Sequence, residues 1–494
     1  MTGVLLKKKI TYLSTISLLC FILVSCSPKN NIEPIDLFND VPHSWSQELP
    51  EMEKYTGNWW ESLGDTLFTS YFDTFMNNNT NLLSTYQQLE IAKNSAQIRS
   101  AGIFPSLALN NSSNARKQNF SGFGFDPSLL GIGSGDSTNS SDSGVLSFSS
   151  NIFNLNLGFQ WELDIWGKLL NARKSAWKDF EASSNELAYA QFSMMTRFAS
   201  SYFQAVQLNI QKELSLEKLK TFEELQRIVL ERYQKGIASS LDVNLAESSL
   251  AFQKVAVENA KIQSKAGIQL IEISLGKYPF GSLKLTKSLP KDFAHVPSGL
   301  PSNLLLRRPD LKAAILKVES SKYRVNEAKR GLFPSIALTG SAGTSTSDLK
   351  NLLDGDFSVF NIGANILLPV FQGGRLRANV RNTENQLTLS ELDAINKILI
   401  TFQEVEQSIE NSISLKNQLS SIQDAVNSSE SAYNLAVNRY ETGLTNLITV
   451  LDSQQRWFDA RQQKNIIEYQ LLNSKINLFL ALGGVFNDES KEEN

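Results

Sequence analysis

The chain has 494 residues, with 47 Lys and Arg against 50 Asp and Glu and 41% apolar residues. A net charge of −3 leaves no basic footprint for nucleic acid. Two histidines, His43 and His295, and two cysteines, Cys20 and Cys26, are too few for a metal ladder or a disulfide framework.

At the N-terminus, Lys7, Lys8 and Lys9 precede an apolar stretch from Ile10 to Val24 that is short for a membrane span. It runs into Leu23-Val24-Ser25-Cys26, which resembles the bacterial lipobox. Residues 1–25 then read as a lipoprotein signal peptide, Cys26 as the lipidation site and 26–64 as a lipid-anchored segment. The other reading is an ordinary secretory signal with an incidental cysteine. Ser27 after the cysteine implies, on the same resemblance, sorting to the outer membrane. The covalent lipid is the only prosthetic group expected. No later run of about 18 apolar residues exists, so any membrane crossing must be made by strands.

From residue 65 the chain is written twice. Gly-Ile-Phe-Pro-Ser-Leu-Ala-Leu, 102–109, returns as Gly-Leu-Phe-Pro-Ser-Ile-Ala-Leu at 331–338. Gly167 matches Gly374, and "RYQKGIASSLDV" (232–243) matches "RYETGLTNLITV" (439–450), both 207 residues apart. The first repeat takes residues 65–277, the second 309–483, with a connecting segment over 278–308 and an acidic tail over 484–494. The first repeat holds 22 extra residues (229 minus 207) between Gly102 and Gly167. They include Ser121 to Gly144, rich in Gly, Ser and Asp, which reads as a long solvent loop.

Within each repeat, a helix (about Thr80 to Ile103; Pro309 to Leu332) leads to the Phe-Pro-Ser motif and a pair of strands, about 105–165 and 334–370. Phe153 to Ile165 alternates without a break: Phe153, Leu155, Leu157, Phe159, Trp161, Leu163 and Ile165 on one side, Asn, Gly, Gln, Glu and Asp on the other. Phe360, Ile362, Ala364, Ile366 and Leu368 repeat the pattern, and Leu107/Leu109 and Ile336/Leu338 begin shorter runs. A soluble antiparallel sheet also alternates. The length, and Trp161 and Trp166 near the end of the oily run, favour lipid. Four strands cannot close a bilayer-spanning barrel, since open edges leave backbone groups unpaired in hydrocarbon; a membrane reading therefore requires an oligomer.

The remainder reads as helix. Lys168 to Lys235 and Arg375 to Thr442 contain no Gly or Pro, each 68 residues long or about 100 Å as one helix. Leu415, Leu419, Ile422, Val426, Ser429, Tyr433, Ala436 and Tyr440 step by four and three, as a coiled-coil seam does. Each long helix stops at a glycine turn, Gly236 or Gly443, and a return helix follows (Leu241 to Leu275; Ile448 to Leu482).

With these elements placed, "NWWESLGDTLFTSYF", "LLRRPDLKAA", the doubled Phe-Pro-Ser stretches, "WELDIWGKLLNARKSA", "PVFQGGRLRANV" and "RYETGLTNLITVLDSQQ" together resemble the TolC/OprM-type outer-membrane efflux proteins of the lipoprotein branch. The resemblance implies a membrane α+β fold: a homotrimer whose twelve-stranded β-barrel, four strands per chain, continues into a periplasmic α-helical barrel. It implies an exit duct rather than an enzyme. Its partners would be a periplasmic adaptor protein, an inner-membrane resistance-nodulation-division or ABC transporter, and outer-membrane lipid. The adaptor would meet Gly236, Ser239, Leu241, Gly443, Leu444 and Asn446. Ile448 and Asp452 would form the channel gate, with Leu245 in place of the aspartate in the first repeat. On backbone grounds alone the two glycines are helix C-caps and Asp452 lies on a solvated face. Protein export with an ABC transporter, or a non-conducting coiled-coil scaffold, are the alternative functions. Deleting Asn487 to Asn494 is expected to leave export intact; loss of the trimer on deletion would show otherwise.

Overall fold

A computed structural model describes residues 45–46, 60, 63–119, 147–290 and 307–483. Cys26, His43, His295, Ser121 to Gly144 and the acidic tail lie outside these residues. The chain divides into two units, residues 1–40 and 41–494, and every described residue lies in the second.

In chain order the elements are α1 (Thr66–Asn78), α2 (Thr80–Ala101), β1 (Ser106–Asn119), β2 (Ser147–Leu163), α3 (Lys168–Gln234), α4 (Ser240–Ser274), α5 (Pro309–Arg330), β3 (Ser335–Thr346), β4 (Ser358–Leu367), α6 (Arg375–Glu441) and α7 (Leu447–Ala481). Both long helices, α3 and α6, run for 67 residues. No described helix is long and apolar enough to cross a membrane.

The strands form one antiparallel sheet in the order β1-β2-β3-β4. Its register gathers the oily positions of all four strands on one face. Leu157 and Phe159 face Leu109 and Leu107 of β1; Trp161 and Leu163 face Leu338 and Ile336 of β3; these in turn face Ala364 and Ile366 of β4. On the edge strands that face is open, Leu109 being 72% exposed and Ile362 86%, while Phe159, Trp161 and Leu338 in the middle are half-buried and none of them joins the core. A soluble sheet would bury it against a core. β1 and β4 each pair on one side only.

The strands differ from the sequence expectation in extent. β2 ends at Leu163, before Ile165, because the Asp164 carboxylate is taken up by the N–H groups of Leu169 and Leu170 at the start of α3. β1 continues to Asn119, well beyond its Leu107/Leu109 run. Its later positions on the oily side are polar (Asn111, Ser113), so only pairing with Leu155 and Phe153 of β2 reveals the strand.

Proline at 105 and 334 ends each helix ladder and starts each strand one residue later. The two tryptophans fasten these handovers. Trp161 Nε1 donates to Ile103 O at 2.8 Å, and Trp166 Nε1 donates to Pro334 O at 2.7 Å while stacking on Phe333.

The core lies where α1 meets the long helices. Phe68, Phe72 and Phe75 of α1 pack against Phe198, Tyr202 and Phe203 of α3, with Ile271 of α4, Leu275 just past its end and Ile476 and Phe479 of α7 in the same cluster. Beside it, Arg308 is fully buried. Its guanidinium donates to both Asp310 oxygens (2.9 and 2.8 Å), to Glu404 Oε2 (2.8 Å), to Ala481 O (3.1 Å) and to the Tyr189 hydroxyl (3.1 Å). One side chain thereby joins α3, α5, α6 and the end of α7.

Burial works against the Asp310 charge, but the hydrogen bonds and charges of Arg308 and Lys397 outweigh it and hold the carboxyl below its ordinary value. Its contribution to stability is therefore fully present above the unfolded carboxylate pKa of about 4 and lost as pH falls through the lower folded value. Asp310→Asn should accordingly melt below wild type at neutral pH, with the gap closing in strong acid. A gap constant over the whole pH series would show that the carboxylate charge does not matter.

Candidate functional site: the hairpin turns

The turns between α3 and α4 and between α6 and α7 carry six of the nine site residues expected from sequence. Both are closed by their own backbone. Gly236 (φ 75°) and Gly443 (φ 78°) are left-handed; their N–H groups donate to Tyr233 O and Tyr440 O, and those of Ile237 and Leu444 to Arg232 O and Arg439 O. This is the paired-bond pattern of a glycine-terminated helix. Ser239 then caps α4, its Oγ accepting from Asp242 N at 3.2 Å while the Asp242 carboxylate accepts from Ser239 N. Asn446 caps α7 through Thr449 N at 3.0 Å.

Four of the six residues thus have a backbone role complete within the chain. What the turns leave unused is apolar: Ile237, Leu241, Leu444 and Ile448 are each more than half exposed. They form two repeat-related pairs, Ile237 with Leu444 and Leu241 with Ile448, each 207 residues apart. Sequence reasoning missed Ile237, although the repeat offset from Leu444 points straight to it. It also gave different roles to Leu241 and Ile448, which occupy equivalent places.

Behind this surface, Leu225 and Val229 of α3, Ala246 of α4, Ala436 and Tyr440 of α6, and Leu447 and Val450 of α7 make a second core cluster. Arg232, also missed, bridges the two turns: its Nη1 donates to Glu441 O at 2.7 Å and its guanidinium lies 4.8 Å from the Tyr440 ring centre.

No described atom occupies the space within 4 Å of a Cβ added at Gly236, and at Gly443 only Arg232 Nη2 comes near, at 3.9 Å. Alanine at either place should cost about 1–2 kcal/mol through its left-handed backbone alone, read as a lower thermal midpoint. Asparagine, which tolerates that region, should recover most of it. A loss of efflux in the asparagine variants without loss of stability would assign the glycines to docking.

One turn beyond Ile448, the exposed Asp452 carboxylate pairs with Arg456 Nε at 2.8 Å on the same helix. α7 is held to α3 by a polar ladder. Gln454 Nε2 donates to Thr221 Oγ1 (2.7 Å), Lys218 Nζ to Gln455 Oε1 (2.7 Å), Arg461 to both Glu217 oxygens (2.7 and 2.8 Å) and Asn465 Nδ2 to Gln207 O (3.1 Å). Burial pushes the Lys218 ammonium below its ordinary pKa, with Asp459 opposing. The α6 seam is as its spacing predicts: Val426, Ala436 and Tyr440 are buried, and the other five positions are half-buried. Among the described residues, no cluster of His, Cys, Asp or Glu fits a metal ion.

The sequence profile of the outer membrane efflux protein family matches residues 73–271 and 300–484. A probable efflux pump outer membrane protein, SepC, of Pseudomonas putida is 26% identical over 437 residues, covering 88% of this chain and 87% of its own. The pyoverdine export outer membrane protein OpmQ of Pseudomonas aeruginosa is 27% identical over 473 residues, covering 94% and 95%. Among solved structures, the Campylobacter jejuni CmeC outer membrane channel shares this fold with a TM-score of 0.79 at 23% identity, over 92% of each chain.

Proposed function

Since this chain belongs to the outer membrane efflux protein family, we propose that it is the outer-membrane channel of a tripartite efflux system, a passive exit duct for small molecules across the periplasm and the outer membrane. The observation that carries this reading is the sheet: one apolar face outside the core, continuous over four strands and bounded by two open edges. Such a face suits lipid, and such edges are tolerated in lipid only when another strand closes them. Barrels of this kind need at least about eight strands, and three copies supply twelve.

The helices support the same trimer. The long helices pack in the order α4-α3-α7-α6, which leaves an outer side on α4 and on α6. Phe252, Val255, Ile262 and Ile273 on α4, and Leu389, Leu392 and Leu399 on α6, are all exposed in the single chain. A neighbouring copy would cover them.

The exposed turns are the surface offered to a periplasmic adaptor, with an inner-membrane transporter behind it, since the chain carries no nucleotide-binding motif to supply energy. Relatives bearing the names efflux pump and pyoverdine export favour small-molecule cargo. Lipid on Cys26 would anchor the chain at the same membrane.

Single-channel recording of the full-length protein in a planar bilayer tests the proposal. Discrete current steps are the expected result. A folded trimer that never conducts would favour a scaffold.

A further inference from the structure

The loop after α4 carries a feature that conduction does not use. Tyr278 and Phe280 project from it 73% and 68% exposed, their ring centres 4.6 Å apart. Exposed rings on a loop are usually mobile and costly to immobilise; these are held. The Glu272 carboxylate, buried at the end of α4, accepts from Gly281 N (2.6 Å) and Ser282 N (2.9 Å). Gln269 Nε2 donates to Pro279 O at 3.0 Å. Gly281 has φ +73°, and a Cβ there would lie 2.6 Å from the Lys265 stem. The backbone between the rings and just after them is therefore fixed by side chains of α4.

Along the loop itself the exposed charge is cationic, with the half-buried Asp65 of the α1 N-terminus beside Tyr71, whose hydroxyl donates to Lys284 O at 3.1 Å. Lys265, Lys277, Lys284 and Lys287 are all exposed, and none forms an ion pair among the described residues. Between Lys265 and Pro290 the single acidic residue is the buried Glu272. In a chain of net charge −3 this is a segregated cationic patch with an aromatic centre. It lies where Leu275 joins the core cluster with Phe203, about 50 Å along α3 from the sheet.

We propose that Tyr278, Phe280 and the surrounding lysines form a docking site for an anionic glycan, a polymer whose sugar faces stack on the rings and whose pendant carboxylates meet Lys277, Lys284 and Lys287. The carboxylated, peptide-bearing glycan of the cell wall has this chemistry, and a duct crossing the periplasm must pass through it. The inference rests on the periplasmic placement of these helices under the proposed function.

The test is co-sedimentation of the full-length, detergent-solubilised protein with purified insoluble cell-wall sacculi. Wild type should pellet, and raised salt should weaken it. Tyr278→Ala with Phe280→Ala, and separately Lys277→Gln with Lys284→Gln and Lys287→Gln, should each reduce binding about tenfold. Tyr278→Phe should bind like wild type. Size-exclusion chromatography and bilayer current on the same preparations separate the failures. Wild type that conducts but does not pellet, or variants that pellet equally, would overturn the glycan site alone. Variants that lose their oligomeric state would overturn it in favour of an interface between copies. Absence of current in wild type would instead count against the duct.

Discussion

Replacing Arg308 by methionine is expected to destabilise the folded chain by about 3–5 kcal/mol, the range found when one partner of a buried ion pair is removed. The arginine itself has no solvent exposure and Asp310 very little. Without it, Asp310 keeps only Lys397 at 2.9 Å, while Glu404, the Ala481 carbonyl and the Tyr189 hydroxyl each lose a donor. Lys397→Met, which removes the more exposed partner of the same carboxylate, should cost about 1 kcal/mol at most. Unfolding followed by circular dichroism on both variants decides the matter. Equal, small effects would mean that water enters and solvates Asp310, so that the cluster is not a sealed junction. Gly483→Ala gives an independent check, because its Cβ would come within 3.1 Å of Arg308 Cγ at a φ of +87°.

That cluster also marks the limit of what the sequence discloses. Arg307-Arg308-Pro309-Asp310 stands out as a motif, and Pro309 announces the start of α5. Nothing local says that Arg308 reaches Glu404 and Ala481, which lie 96 and 173 residues away. The local signals succeeded wherever one element was sufficient to define itself. Thirteen alternating residues identified β2, absence of Gly and Pro gave α3 and α6 nearly to the residue, and the four-three spacing placed the α6 seam. Pairing between the repeats was illegible for the opposite reason. β2 and β3 meet across the whole of α3 and α4, with no turn to set their register; the common oily face sets it instead. The six expected residues lie at the two turns that Arg232 bridges, where Ser239 and Asn446 serve as helix caps. The apolar surface belongs to Ile237 and Leu444, Leu241 and Ile448.

The second large effect is expected at Asp452, and its sign depends on Arg456. If three copies surround one axis, three Ile448 side chains make a constriction that resists wetting, with three carboxylates one turn away. Asp452 does not stand alone, however; its oxygen is 2.8 Å from Arg456 Nε, so the paired ring carries little net charge. Asp452→Ala should then do two things: raise the current by widening the constriction, and turn ion preference towards anions, because three unpaired arginines remain. Arg456→Ala should do the reverse, leaving bare carboxylates that favour cations about fivefold or more over wild type. Reversal potentials in a salt gradient measure both. Opposite shifts in the two variants would put the pair on the conduction path. Unchanged reversal potentials in both would remove Asp452 from the gate, and enlarged current in Ile448→Ala alone would leave the constriction to the apolar ring.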